Sequence, residues 1–317
     1  MEKIAVLIPC YNEEITIGKV INDFKRELPT AEIYVYNNNS QDNSYQIAKE
    51  TGVIVKNEYR QGKGNVIKSM FEQIEADIYL IVDGDDTYPA NRAKELIEAV
   101  KNGADMVVGD RLSNGTYLKE NKRIFHNIGN LLVKNTINLL FDANLKDIMS
   151  GYRAYSKKFV KNFPILTKKF EIEVEMTLHA LDKNYVIKEI PIEYKDRHSG
   201  SVSKLNTISD GIKVIKTIAT MFKDYKPLKF FIILALTLFL FGLFIGIPVI
   251  VEFVKTEYVS KIPSAILAVG LIITSFIIAQ SGIILHTTVK KNKELYELNL
   301  LRYSQIEKIT KNLMEKK

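Results

Sequence analysis

The chain has no tryptophan, one cysteine and four histidines among its 317 residues. A single cysteine, Cys10, excludes an internal disulfide, so stability rests on packing, and the composition suits a reducing compartment. His126, His179, His198 and His286 stand far apart, without the short spacings of a metal-ligand set, and none is assigned a role. Internal repeats and low-complexity tracts are lacking too. So is a signal-peptide pattern, because IAVLIPCYNEE opens as an apolar strand and runs straight into polar residues. Acidic residues number 37 against 44 basic ones, and the net charge of +7 favours anionic partners such as nucleotide phosphates and acidic lipids. The lysines crowd beside the apolar C-terminal runs and no reader motif for nucleic acid appears, so no nucleic-acid partner is expected.

Two long uncharged runs are present, Phe230 to Val251 and Ile262 to Leu285. Each exceeds the roughly 20 residues that a helix needs to cross a bilayer core. Lys223, Lys226 and Lys229 precede the first, and Lys290, Lys291 and Lys293 follow the second. The short connection has only Lys255 and Lys261, offset by Glu252 and Glu257. The positive-inside rule then predicts a two-span hairpin in the cell membrane, with both termini and the N-terminal domain cytoplasmic. Lys204 to Tyr225 reads as a basic amphipathic helix suited to a membrane surface. The tail after His286 is charged and loosely helical in its leucine spacing, a candidate for self-association into a homo-oligomer. The expected division is 1–200, a catalytic α/β domain; 201–229, a juxtamembrane helix region; 230–285, the two spans; and 286–317, the tail.

Strand and helix signals alternate over the first 110 residues, from IAVLIP through EIYVYN, GVIVKN and DIYLIVDGD to ADMVVGDR, with helical stretches between them. That order predicts βαβ units and a Rossmann-like, mostly parallel sheet with flanking helices, with ligands bound beyond the carboxyl ends of its strands. Polar clusters fall at those ends: Tyr11-Asn12-Glu13, Asn37 to Ser40, and Asp83-Gly84-Asp85-Asp86. Asp83 and Asp85, one residue apart beyond a buried strand, suit a hard divalent cation such as Mg²⁺ or Mn²⁺ with open positions for phosphate oxygens. In IPCYNEE, Pro9 stiffens the turn, Tyr11 offers a flat face for a base, and Asn12 and Glu13 offer hydrogen-bonding groups. Asn12 serves equally as a helix N-cap, with Glu13 and Glu14 complementing the dipole. Glu171, Glu173 and Glu175 recur at every second residue and read as a solvated face.

IPCYNEE, YNNNSQDNS, RQGKGN, VDGDDTYP, VGDR, DIMSGYRAYSK and RHSGSVSK, in this order, resemble the family 2 glycosyltransferases of GT-A fold. More narrowly they resemble the dolichol-phosphate mannosyltransferase and bacterial polyprenyl-phosphate glucosyltransferase branch, over about residues 3 to 225. The resemblance implies donor binding by Pro9, Tyr11, Asn12, Glu13, Asn38, Lys63 and Gly64, and metal binding by Asp83 and Asp85. It places Arg111, Arg123 and Asn127 on the acceptor lipid phosphate, and Arg197, Ser203 and Lys204 on a loop that closes over donor and metal. Three departures stand out. Asn37 and Asn38 replace frequent acidic residues, and an amide still pairs with a uracil edge. Thr87 stands where some relatives have a glutamine ligand. The absent tryptophan excludes the processive synthases, which need Gln-x-x-Arg-Trp.

The implied reaction moves a hexose from a nucleotide-sugar, UDP-glucose being favoured over GDP-mannose and other UDP-sugars, to polyprenyl phosphate. A phosphate monoester is already anionic, so the site must position it and stabilise the leaving diphosphate. Arg111 and Arg123 are the expected phosphate clamp, and Asp85 with the metal holds the donor. Asp147 is kept as a sugar contact or base, or as a turn cap. The rival readings are transfer to a different acceptor, and a silent scaffold or flippase subunit.

Overall fold

In the computed structural model, residues 2–115, 124–165, 172–195 and 219–315 are described, and they fall into two units, Met1–Gly211 and Ile212–Lys317. The first is organised by β1 (Ile4–Cys10), whose residues Ala5 to Ile8 are wholly buried. An apolar strand without polar alternation can only sit centrally with both faces covered. β1 accordingly pairs in parallel with β2 (Glu32–Asn37) on one side and β4 (Ile78–Ile81) on the other, and β3 (Ile54–Asn57) extends the sheet beyond β2.

The crossovers are α1 (Ile17–Glu27), α2 (Ser44–Glu50) and α3 (Lys63–Gln73). In α1, Ile17, Val20, Ile21 and Phe24 fall at helical spacing on one buried stripe. After a single 3₁₀ turn, α4 (Ala93–Lys101) buries Ala93, Leu96, Ile97 and Val100 in the same way and leads to β5 (Met106–Asp110).

Beyond β5 the order changes. α5 (Ile124–Phe141) leads back to β6 (Arg153–Ser156), followed by α6 (Lys157–Lys161), α7 (Ile172–Asp182) and β7 (Ile187–Pro191). The sheet runs β3-β2-β1-β4-β6-β5-β7. β6 lies antiparallel between β4 and β5, where strand–helix alternation alone predicts a parallel neighbour. The reason is where β6 starts. The chain leaves β5 at the carboxyl edge, and the segment before β6 is hydrogen-bonded to Arg111 at that same edge, so β6 runs back the other way. Its first residue, Arg153, pairs with Ile81 of β4 and Val108 of β5, which brings the preceding Ser150-Gly151 turn beside the acidic turn after β4.

The second unit holds α8 (Pro227–Thr256) and α9 (Ile262–Glu315), both long and apolar enough to cross a membrane. They pack closely where side chains are small: Gly242 lies against the Ala268 carbonyl, and Gly282 against Phe231. Most of the expected basic stretch from Lys204 to Tyr225 lies outside the described residues.

Candidate active site

The polar clusters meet at the carboxyl edge of β1, β2, β4 and β5. The turn after β1 is stitched to the turn after β2: the Asn12 side-chain oxygen accepts from the Gln41 N–H at 2.8 Å, and the Ser40 and Ser44 hydroxyls accept from the Asn12 and Glu13 N–H groups. Asn12 has a left-handed backbone (φ 55°), which asparagine tolerates, and α1 begins only at Ile17. Its alternative as an N-cap is therefore overturned; its side chain ties two loops together. Pro9 is the penultimate residue of β1, opposite Tyr36, and Tyr11 follows the strand, half-buried.

Asn38 is 3% exposed, and its amide is committed to the loop after β3. It donates to the Glu58 and Arg60 carbonyls and accepts from Gly62 N–H at 2.7 Å. That loop is closed by Arg60 on Glu58, which together with Ser69 holds the Glu58 carboxyl down to about 2. Gly62 has φ 127°, a conformation open to glycine, and from it the chain enters α3 with Lys63 and the buried Gly64 in its first turn.

Lys63 is the electrostatic centre. Its ammonium lies 2.5 Å from Asp83 Oδ1 and 2.5 Å from Glu173 Oε1, with its side chain 9% exposed. Burial alone would lower its pKa, but the two carboxylates outweigh that and push it up. Glu173, on α7, is 6% exposed, so the expectation of a solvated face fails there; Glu171 lies outside the described residues. The helical register turns position 173 inward, onto the lysine 110 residues earlier.

Asp85 is 5% exposed, and its carboxylate accepts from the Thr87 hydroxyl at 2.7 Å. The intervening Gly84 carbonyl accepts from Thr16, which pins the turn to the start of α1. Two carboxylates beyond one strand are a sound donor set for Mg²⁺ or Mn²⁺, which take one or two protein carboxylates and leave the remaining positions to phosphate and water. No cluster of three or more His, Cys, Asp or Glu residues is gathered for a metal among the described residues. The Gly151 N–H donates to Tyr88 Oη, and a Cβ at Gly151 would lie 2.5 Å from Asp83 Oδ2 and 3.0 Å from Lys63 Nζ. Any larger residue there would force the Asp83 carboxylate to shift.

Arg111, 9% exposed, forms a bidentate pair with Asp147: Nε to Oδ2 at 2.7 Å and Nη2 to Oδ1 at 2.9 Å. The guanidinium also lies 5.7 Å from the Tyr194 ring centroid. Burial would raise the Asp147 pKa, but Arg111 outweighs it and holds the carboxyl below its ordinary range. Glu189 accepts from the Lys146 and Asp147 N–H groups and so fixes the turn carrying Asp147. Beneath it, Arg153 is fully buried, bonded to the Ser150 and Ile148 carbonyls and to Thr177. Arg123, Arg197, Ser203 and Lys204 lie outside the described residues, and of Asn127 only the backbone is described.

A mostly parallel sheet with one antiparallel insert, flanking helices and an acidic turn after β4 defines a GT-A-like glycosyltransferase. Residues 5–163 match the Glycosyl transferase family 2 domain, and the chain belongs to that family. It is 56% identical to protein RfbJ of Shigella flexneri over 37% of this chain and 93% of RfbJ. It is 27% identical to a dolichyl-phosphate hexose transferase of Haloferax volcanii, over 68% of this chain and 92% of the relative. Among solved structures, glucosyl-3-phosphoglycerate synthase of Mycobacterium tuberculosis, in complex with Mn²⁺, UDP and phosphoglyceric acid, superposes with a TM-score of 0.57. That match has 17% identity over 70% of this chain and 78% of the other, and it speaks for the fold alone. The chain is thus a family 2 glycosyltransferase related to polyprenyl-phosphate sugar transferases.

Proposed function

We propose that the chain transfers a hexose from a nucleotide-sugar, with UDP-glucose favoured, to polyprenyl phosphate at the cytoplasmic face of a membrane that α8 and α9 span. The observation that carries this reading is the pairing at Arg111. Asp147, the carboxylate kept as a candidate base in the sequence, is held ionised below its ordinary range with both oxygens occupied. A site whose candidate base is spent on orienting a cation suits an acceptor that arrives already deprotonated, as a phosphate monoester does.

The chemistry follows from placement. The loop held by Asn38 and the turns joined by Asn12 form the nucleotide end, where backbone groups and the Tyr11 ring meet the base. Asp83 and Asp85 would hold Mg²⁺ or Mn²⁺, which would supply positive charge against the departing diphosphate. Thr87 orients Asp85 for that task rather than acting as a ligand. Lys63 adds a second positive charge beside Asp83, kept there by Glu173. Arg111, aimed by Asp147, binds the acceptor phosphate together with Arg123. A phosphate oxygen attacks the anomeric carbon as the bond from that carbon to the diphosphate oxygen breaks, and the nucleoside diphosphate leaves. In-line displacement of an α-linked donor gives a β-linked lipid phosphate. Arg197, Ser203 and Lys204 are assigned to donor closure on the resemblance alone. The relatives named dolichyl-phosphate hexose transferase and polyprenol monophosphomannose synthase support the acceptor class.

The test compares acceptors. Detergent-solubilised full chain is given a labelled nucleotide-sugar with polyprenyl phosphate, with free polyprenol, or with diacylglycerol. The proposal expects transfer to the phosphate only, with β configuration in the product. Equal transfer to an alcohol would overturn it, because that acceptor needs a base and Asp147 is committed to Arg111.

A further inference from the structure

α9 is one unbroken helix of 54 residues. At about 1.5 Å per residue it is roughly 80 Å long, against about 30 Å of bilayer hydrocarbon. No glycine or proline follows Gly282 in it, so the part beyond Lys290 continues the direction of the span away from the membrane surface. It cannot lie down on the lipid without breaking.

The two sides of α9 differ. Towards α8 it presents Ala268, Ser275 and Gly282, buried at heptad spacing. The opposite side presents Gly270, Ile273, Ile277, Gln280 and Ile284, all exposed, and a Cβ at Gly270 would meet nothing within 4 Å. Gln280 has no hydrogen-bond partner among the described residues, and hydrocarbon supplies none. Leu298 follows Gln280 by 18 residues, which at about 3.6 residues per turn returns it to the same face. On that face beyond the membrane lie Leu295, Leu298, Ile306, Ile309 and Leu313, each 52–63% exposed. An apolar stripe in water and an unpaired amide in lipid therefore share one side of one helix.

We infer that this face is the seam of a parallel pair formed with a second copy of the chain. A soluble partner cannot reach Gln280, and lipid cannot cover Leu298 to Leu313. A second copy carries both halves at the same heights and in the same orientation. Gly270 lets the backbones approach, the two Gln280 amides exchange hydrogen bonds, and the leucines and isoleucines close the aqueous half. Arg302, set within the stripe, is the kind of lone polar position that fixes register and copy number in paired helices. The inference rests on the membrane-spanning reading of α8 and α9 and is independent of the sugar transferred.

The experiment uses the full chain in native membranes. Its one cysteine is buried, so single cysteines can be introduced cleanly. Leu298→Cys and Ile309→Cys should give disulfide-linked dimers on mild oxidation, and Lys293→Cys and Leu300→Cys, on the other side, should not. Gln280→Leu should lower the Leu298→Cys yield several-fold. Equal cross-linking on both sides, or none at Leu298 and Ile309, would overturn the pair. Carbonate extraction of the same membranes reads the underlying premise separately: release of the chain overturns the span and this seam with it, whereas retention leaves the cross-links to decide.

Discussion

Replacing Asp147 by asparagine separates an orienting carboxylate from a catalytic one. The change keeps shape and one acceptor oxygen but removes the charge opposite Arg111, in a pair whose side chains are 10% and 1% exposed. Breaking a buried pair from one side typically costs about 3–5 kcal/mol, because the remaining charge is left uncompensated. The retained amide oxygen still accepts one bond, so about 3 kcal/mol is expected. For a unit of this size, each kcal/mol lowers the melting temperature by roughly 2–4 °C, a fall of roughly 6–12 °C. Scanning calorimetry of the detergent-purified chain measures it. In kinetics, the KM for polyprenyl phosphate should rise as Arg111 loses its aim, while the acid limb of the rate profile keeps its position. A melting temperature within about 2 °C of the parent would refute the energetic argument. Loss of kcat at unchanged KM, together with disappearance of the acid limb, would refute the orienting role and restore Asp147 as a base.

Other outcomes follow from the same contacts. Glu173→Gln leaves Lys63 on Asp83 alone, so Mn²⁺ binding measured by electron paramagnetic resonance without nucleotide should weaken roughly tenfold, the scale of one charge-assisted hydrogen bond; unchanged affinity would sink this. Gly151→Ala puts a methyl 2.5 Å from Asp83 Oδ2, at a backbone outside the left-handed region. Transfer should fall at least about tenfold with little change in melting, since the carboxylate rather than the core must move; full activity would mean that Asp83 is free to shift. His179, packed among Phe159, Phe163 and Tyr185, is lowered to about 4, first by burial and then by Lys183. The unfolded chain therefore takes up a proton near 6.5 that the folded one refuses. Stability is full above that pH and declines by up to about 3 kcal/mol as pH falls to about 4. Denaturant titrations at pH 7 and pH 5 check the decline, and His179→Gln should flatten it.

The alternating strands and helices were legible because β1, β2 and β4 are apolar runs bounded by turn residues, and ligand placement followed from the direction of those strands. β6 was not, because four residues beginning with a buried arginine resemble no strand signal; Arg153 is tolerated only because carbonyls and Thr177 surround it. Asp83 and Asp85 stood out as carboxylates beyond a predicted strand, whereas Lys63 and Arg111 were marked only by the family resemblance. Glu173 did not: one carboxylate in a run of three says nothing of which faces inward until the phase of α7 is known. Asn38 was visible as a site residue, yet its commitment to the loop after β3 depends on a β2–β3 register that the chain alone does not display. Gly151 carries no motif signal of its own beyond the Ser-Gly-Tyr-Arg run, and its reason appears only with Asp83 at its side.

The central claim is metal-dependent transfer from a nucleotide-sugar to a lipid phosphate. The most direct measurement is label entering the lipid phase from a panel of UDP- and GDP-sugars, with Mn²⁺, with EDTA and with Asp85→Asn. The account predicts one donor transferred to polyprenyl phosphate, lost with EDTA and in the variant, while circular dichroism shows the variant folded. Transfer that persists in EDTA and in Asp85→Asn, or folded protein that binds a nucleotide-sugar and transfers from none of the panel, would contradict it.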